Sequence, residues 1–216
     1  MSEPIVVFTC DTDWAPAAQV KELLDFFELH HVPLTLFVTD MSRVVEGFLD
    51  RHPFGVGPHF NFMVGSTQGH SEDEILSSLP RFRLPGYRNH CFYDNTKLQL
   101  KMRRLGFTFD SNSCLWLQHN LCPLRLVTDI VRFPVWFEDD WALRAGMNMS
   151  ADSLELAKVT ARLLSPGLKV LNFHPHYLRE MRVLLARLMY YVDWGVVRPV
   201  SLYETFLKFG DGLCDS

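Results

Sequence analysis

Three short segments place polar side chains two residues apart: Asp11 and Asp13, His59 and Asn61, and His174 and His176. Each belongs to an apolar stretch: Ile5 to Thr9 precedes the first, Phe54 to Phe62 contains the second, and Leu168 to Phe173 precedes the third. Side chains alternate along a strand, so both members of such a pair can point to one side. On α/β folds the functional groups collect at the carboxyl ends of the strands. Two carboxylates, two or three imidazoles and an amide would then share a pocket, enough for a metal centre with an acid and a base. Each pair also has a plainer use. Asp11 and Asp13 could cap the next helix, His59 could be a hydrogen-bonded core histidine, and His174-Pro175-His176 a surface turn. Their recurrence at three separate strand ends favours the shared pocket. A fourth segment, Phe133 to Trp141, joins Glu138, Asp139 and Asp140 to aromatic rings. It reads either as a sugar-contacting rim or as a solvated acidic turn.

The elements that must position these groups follow from the apolar spacing. Strands are expected at Pro4–Cys10, Leu34–Val38, Phe54–Phe62, Phe107–Phe109, Val131–Phe137 and Leu168–Phe173. Helices are expected at Ala17–His31, Ser42–Arg51, Glu72–Ser78, Asn95–Leu105, Ser153–Leu164 (capped by Ser150 or Asp152), Leu178–Tyr191 and Leu202–Phe209. Strand–helix alternation with short connections predicts an α/β chain with a mostly parallel sheet. The expected architecture is a single-domain distorted (β/α) barrel of about six to seven strands.

The bulk composition narrows the functional classes. At 216 residues, 48% hydrophobic with 17 Phe and 5 Trp, the chain has material for one well-filled domain over residues 1–216. A net charge of −4 without basic runs speaks against nucleic acid as a partner. No apolar stretch approaches the roughly 18 residues of a membrane span. Met1 to Phe8 lacks the pattern of a signal peptide, so a cytoplasmic location is expected. Five scattered cysteines without a C-x-x-C motif read as free thiols.

The segment Phe8 to Trp14, followed by a helix and by Val32 to Val38, resembles the opening of the polysaccharide deacetylase family. The usual form there has adjacent aspartates; a variant spaces them by one residue, as here. The resemblance implies that Asp11 is the catalytic base and Asp13 a metal ligand. The next family element carries two histidines four apart. His59 matches the first, but Met63 stands in place of the second. A branch implicated in surface-polysaccharide (O-antigen) assembly is similar at Gly57-Pro58-His59-Phe60-Asn61-Phe62. Asn61 is therefore the first choice for the third ligand, ahead of His70, His90, His174 and His176. Gly86 to Tyr93 resembles the loop whose arginine, here Arg88, orients the base, and Gly106 to Ser111 resembles the segment after it. His174 falls at the late catalytic histidine.

The family's activity would be removal of an acetyl group from the nitrogen of a sugar. It would use a divalent ion, with Zn²⁺ the first expectation, to acidify a water and polarise the acetamide carbonyl. Asp11, steadied by Arg88, would take the water's proton, and His174 would protonate the departing amine. His90, Trp14, Glu138, Asp139 and His176 are expected to contact the sugar. Two other readings stay open: a hydrolase of small non-sugar amides, and a binding domain that kept the fold and lost catalysis.

Overall fold

The computed structural model describes residues 3–209. The first strand, β1 (Pro4–Asp11), is buried from Ile5 onward and pairs in parallel on both sides. Such a strand needs a continuous apolar run, which Ile5 to Phe8 provides. Helix α1 (Ala17–Leu29) buries Val20, Leu23, Leu24 and Phe27, one stripe at helical spacing, and neither Asp11 nor Asp13 caps it. There follow β2 (Leu34–Val38), α2 (Arg43–Arg51), β3 (Val56–Phe60), α3 (Glu72–Ser77), β4 (Gly86–Asn89) and α4 (Thr96–Arg104). Then come β5 (Phe109–Asp110), β6 (Leu124–Arg125), β7 (Val131–Arg132), β8 (Val135–Glu138), α5 (Asp139–Arg144) and α6 (Leu154–Leu163). The chain closes with β9 (Gly167–Phe173), α7 (Leu178–Asp193), β10 (Arg198–Val200) and α8 (Leu202–Phe209). Ser42, Ser71, Asn95 and Ser153 cap α2, α3, α4 and α6 through their side chains. The cap of α6 is thus Ser153, not Ser150 or Asp152, because Ser153 Oγ accepts from Leu156 N.

One ten-stranded sheet runs β6-β7-β5-β4-β3-β2-β1-β9-β8, with β10 beside the start of β1. Among the described strands only β6 against β7 is antiparallel. The sheet curls until the segment after β5 meets β8: Leu115 N donates to Val135 O, and Val135 N to Ser113 O, both at 2.8 Å. A mostly parallel, distorted α/β barrel is the result. Its strand count exceeds the expected six to seven because β4, β6 and β10, of two to four residues each, were not expected and the single strand expected at Val131–Phe137 is two, β7 and β8. Elements that short leave no periodic trace in sequence. Pro134, which has no N–H to donate, separates β7 from β8 where one strand was expected.

Two cores divide along β1. Val6, Phe8 and Cys10 pack outward, against helices that include α1 and α7. Ile5 and Val7 pack inward with Phe37, Phe109, Phe133 and Val170, and α8 covers this inner core through Tyr203 and Phe206. Gly86 is required here, since a Cβ on it would lie 2.0 Å from the Phe109 ring. Toward the carboxyl ends the inward face turns polar, from Ile5 and Val7 to Thr9 and Asp11 on β1, and from Leu168 and Val170 to Asn172 on β9.

Among the cysteines, Cys10, Cys91 and Cys114 are free thiols. Cys122 is disulfide-bonded, which corrects the all-thiol expectation; Cys214 lies outside the described residues.

Candidate active site

The polar ends of the inner core open into a cleft of about 320 Å³ lined by Asp11, Asp13, His59, His90, Glu138, His174 and His176. A larger groove of about 650 Å³ lies by the starts of β2 and β3, but Phe27, Val32, Leu34, Phe48 and Phe54 make much of it apolar.

Asp13 is the centre of the cleft. It stands in the turn after β1 with φ 41°, followed by Trp14 at φ 58°, so two side chains adopt the left-handed conformation in succession. Such backbone strain persists where surrounding structure enforces it. Asp13 Oδ1 lies 3.1 Å from His59 Nε2 and 3.0 Å from His90 Nδ1, and Asp13 Oδ2 is 3.4 Å from His174 Nε2. Burial works against the Asp13 charge, but hydrogen bonds from His174, His59 and His90 outweigh it and hold the carboxyl well below the usual range.

Asp13, His59 and His90 present one carboxylate and two imidazoles around a common point. That donor set suits Zn²⁺ with a position left open. The other His59 ring nitrogen, Nδ1, is buried without a hydrogen-bond partner, 3.8 Å from Asp11 Oδ1. Asn61, the expected third ligand, turns away: its Oδ1 accepts from Met63 N at 2.9 Å, and its own N–H donates to Gln68. The third donor beside Asp13 and His59 is His90, delivered by the short turn that follows β4. Trp14, expected on the sugar, lies edge-on to His90 with ring centres 5.3 Å apart and buttresses it.

Arg88 is fully buried and bound on every side. Its Nη1 donates to Asp11 Oδ1 at 2.9 Å, to Thr9 Oγ1 at 3.0 Å and to Asn172 Oδ1. Nε and Nη2 donate to the Ser111 carbonyl and hydroxyl. Asn172 Nδ2 donates to Asp11 Oδ2 at 2.9 Å, so each carboxylate oxygen of Asp11 has its own donor. The sequence pattern placed Asn172 at a strand end without giving it this work.

His174 is fixed from behind. Its Nδ1 is 2.6 Å from Asp139 Oδ1, and its backbone N–H donates to Asp139 Oδ2 at 2.7 Å. Asp139 is wholly buried at the start of α5, so it orients His174 and does not reach a sugar, contrary to expectation. Burial disfavours the imidazolium, yet the Asp139 charge and the hydrogen bonds His174 donates to Asp13 and Asp139 raise it well above an ordinary histidine. A cation with one nitrogen held and the other in the cleft is built to donate a proton. His176 Nε2 lies 3.2 Å from Asp13 O at the cleft wall, beside Trp141 and Tyr177.

The cleft therefore holds a carboxylate gripped by arginine, an imidazole gripped by aspartate and a three-donor cluster between them, on a curled parallel sheet. A family model of WbmS-like polysaccharide deacetylases matches residues 8–181, and the chain belongs to that family. Among curated proteins none matches it. Solved structures share the fold. One is WbmS of Bordetella bronchiseptica, described as a polysaccharide deacetylase involved in O-antigen biosynthesis, at 22% identity and TM-score 0.66, covering 99% of this chain and 82% of that one. A second, described as a polysaccharide deacetylase from Mycobacterium smegmatis, is 19% identical with TM-score 0.62, over 98% and 92% of the two chains. The Bc1960 peptidoglycan N-acetylglucosamine deacetylase is 14% identical with TM-score 0.53, over 93% and 86%.

Proposed function

We propose that residues 1–216 form one deacetylase domain that removes the acetyl group from an N-acetylated sugar, a cytoplasmic intermediate of surface-polysaccharide synthesis. The observation that carries the reading is the meeting of Asp13, His59 and His90 within one cleft, flanked by the Asp11–Arg88 and His174–Asp139 pairs. Family membership supports the class of reaction. No helix among the described residues is long and apolar enough to cross a membrane. Asp13, His59 and His90 would hold a divalent ion, Zn²⁺ by their chemistry, and bound there it would polarise the acetamide carbonyl and acidify a water. Asp11 receives the water's proton while Arg88 and Asn172 keep its carboxylate aimed. His174 donates to the leaving nitrogen while Asp139 keeps its imidazole oriented. Trp141, Tyr177 and Phe92 give the cleft apolar faces on which a sugar ring can pack.

Two experiments test this. Calorimetric titration with Zn²⁺ should show His90→Ala weakening affinity beyond the roughly 10–100-fold that loss of an outer-sphere partner costs. Asn61→Ala should leave it unchanged, and the reverse outcome would return Asn61 to the metal. Asp11→Asn should keep fold and metal while amine release from an N-acetylated sugar falls about 10²–10⁴-fold, the worth of a positioned base. Undiminished turnover in that variant would remove Asp11 from the chemistry.

A further inference from the structure

Glu138 is an acid in the cleft for which the reaction above has no use, and the backbone goes out of its way to place it there. The pairing of β8 with β9 runs Val135 to Val170, then Phe137 to Leu171 and Glu138 to Asn172, so one residue is bulged between Val135 and Phe137. Val135 belongs to the inner core, whereas Trp136 and Phe137 both join the outer one. Simple alternation from Val135 would send Glu138 outward. The bulge turns it inward, and bulges recur where a sheet re-aims a side chain beside an active site.

Once inside, Glu138 is 6% exposed, and among the described residues no lysine or arginine pairs with it. Its Oε1 accepts from Asn172 Nδ2 at 3.4 Å, the same amide nitrogen that serves Asp11. One ligand atom each from Asp11, Glu138 and His174 lie within 4.8 Å of one another, a gap that a single water bridges. The charged neighbours come from every side: Asp11 on β1, Arg88 on β4, Asp139 on α5 and His174 beyond β9, with the Cys114 thiol close enough to feel the carboxylate. Burial is the largest influence and Asp11 adds to it, against the opposing charges of His174 and Arg88, so the Glu138 carboxyl is pushed up to about 7.

We propose that Glu138 is a third catalytic acid–base group, carrying to His174 the proton that Asp11 takes from water; this rests on the deacetylase reading of the site. When the water oxygen bonds to the acetamide carbon, one proton passes to Asp11. When the C–N bond breaks, the electron pair stays on nitrogen and His174 gives its proton there. Acetic acid and the amine leave Asp11 protonated and His174 neutral. The Asp11 proton moves to the Glu138 carboxylate, and the Glu138 carboxyl then protonates His174. Both groups are reset with no net proton gained or lost.

The test compares zinc-loaded wild type, Glu138→Gln and Asp11→Asn at neutral pH, in low and high concentrations of a non-chelating buffer. Amine release is followed from N-acetylglucosamine oligomers and nucleotide-linked N-acetylhexosamines. Glu138→Gln should retain zinc and KM while kcat falls about 10²-fold, the lower end for a lost proton-transfer group. High buffer should recover much of that loss, because buffer acid replaces the relay, and wild type should be indifferent to it. If Asp11→Asn is inactive but Glu138→Gln turns over like wild type, the relay is overturned and the deacetylase reading stands. If wild type releases no amine, or Asp11→Asn matches it, that reading fails and the relay with it. Should Glu138→Gln not fold, Glu138→Asp replaces it: its withdrawn carboxyl should lower kcat and make it rise with buffer. A buffer-independent kcat equal to wild type would overturn the proposal.

Discussion

Asp139→Asn is expected to lower turnover by about 10²–10⁴-fold with zinc content and KM near wild type. Asp139 touches no substrate, and its whole effect passes through His174, which it holds by both the ring Nδ1 and the backbone N–H. An asparagine amide keeps the shape but removes the charge and no longer selects the Nδ1-protonated ring. The sign of the pH effect follows. Burial pulls His174 down and the Asp139 charge lifts it, so without that charge the imidazolium form gives way at lower pH. The alkaline limb of the kcat profile should therefore move toward acid. A profile of unchanged shape and height would show that Asp139 is only a packing residue.

Arg132→Met is expected to destabilise the fold by about 3–5 kcal/mol, the usual consequence of removing one partner from a buried ion pair. Arg132 grips Asp110 with Nε and Nη2, both at 2.7 Å, and Asp94 with Nη2 as well. Asp110 is fully buried, and burial already pushes its carboxyl up against the opposing pull of Arg132. Without the guanidinium its charge has no cation to answer it. Thermal melting of the single variant and of the double variant with Asp110→Asn separates the causes, since the second change should restore part of the loss. The damage should also reach the cleft, because Ser111 and Asn112, next to Asp110, hold Arg88 and the Asn89 N–H. Equal melting of wild type and Arg132→Met would mean that the pair is solvent-screened.

The long strands were legible because burial on both faces of β1, β2 and β9 demands mostly apolar runs, broken only by Thr35 in β2, Lys169 and Asn172 in β9 and the polar end of β1. The i, i+2 pairs marked the right strand ends, but β1 stops at Asp11, so Asp13 reaches His59 from a turn with left-handed backbone and not by strand alternation. Three features were not legible, each for a physical reason. Asn61 stands outside the Asp13–His59 cluster and His90 within it because the chain turns after β3, and Asn61 spends its carbonyl on the Met63 amide. Asp139 looked like a surface acid beside Asp140, and only the packing of α5 against β9 buries it. The bulge that brings Glu138 inward leaves no mark in residue type, since Trp136 and Phe137 are as apolar as any strand residue.

The hydrogen bond from Asn172 to Asp11 joins groups 161 positions apart along the chain. Loop-closure entropy grows only with the logarithm of span, so this reach costs about 2 kcal/mol more than one of about 16 residues would. Contacts so remote in sequence also slow the search for the native arrangement. Asp11 acquires its amide partner only once β9 has docked against β1, so the cleft cannot be complete before the two ends of the chain have met.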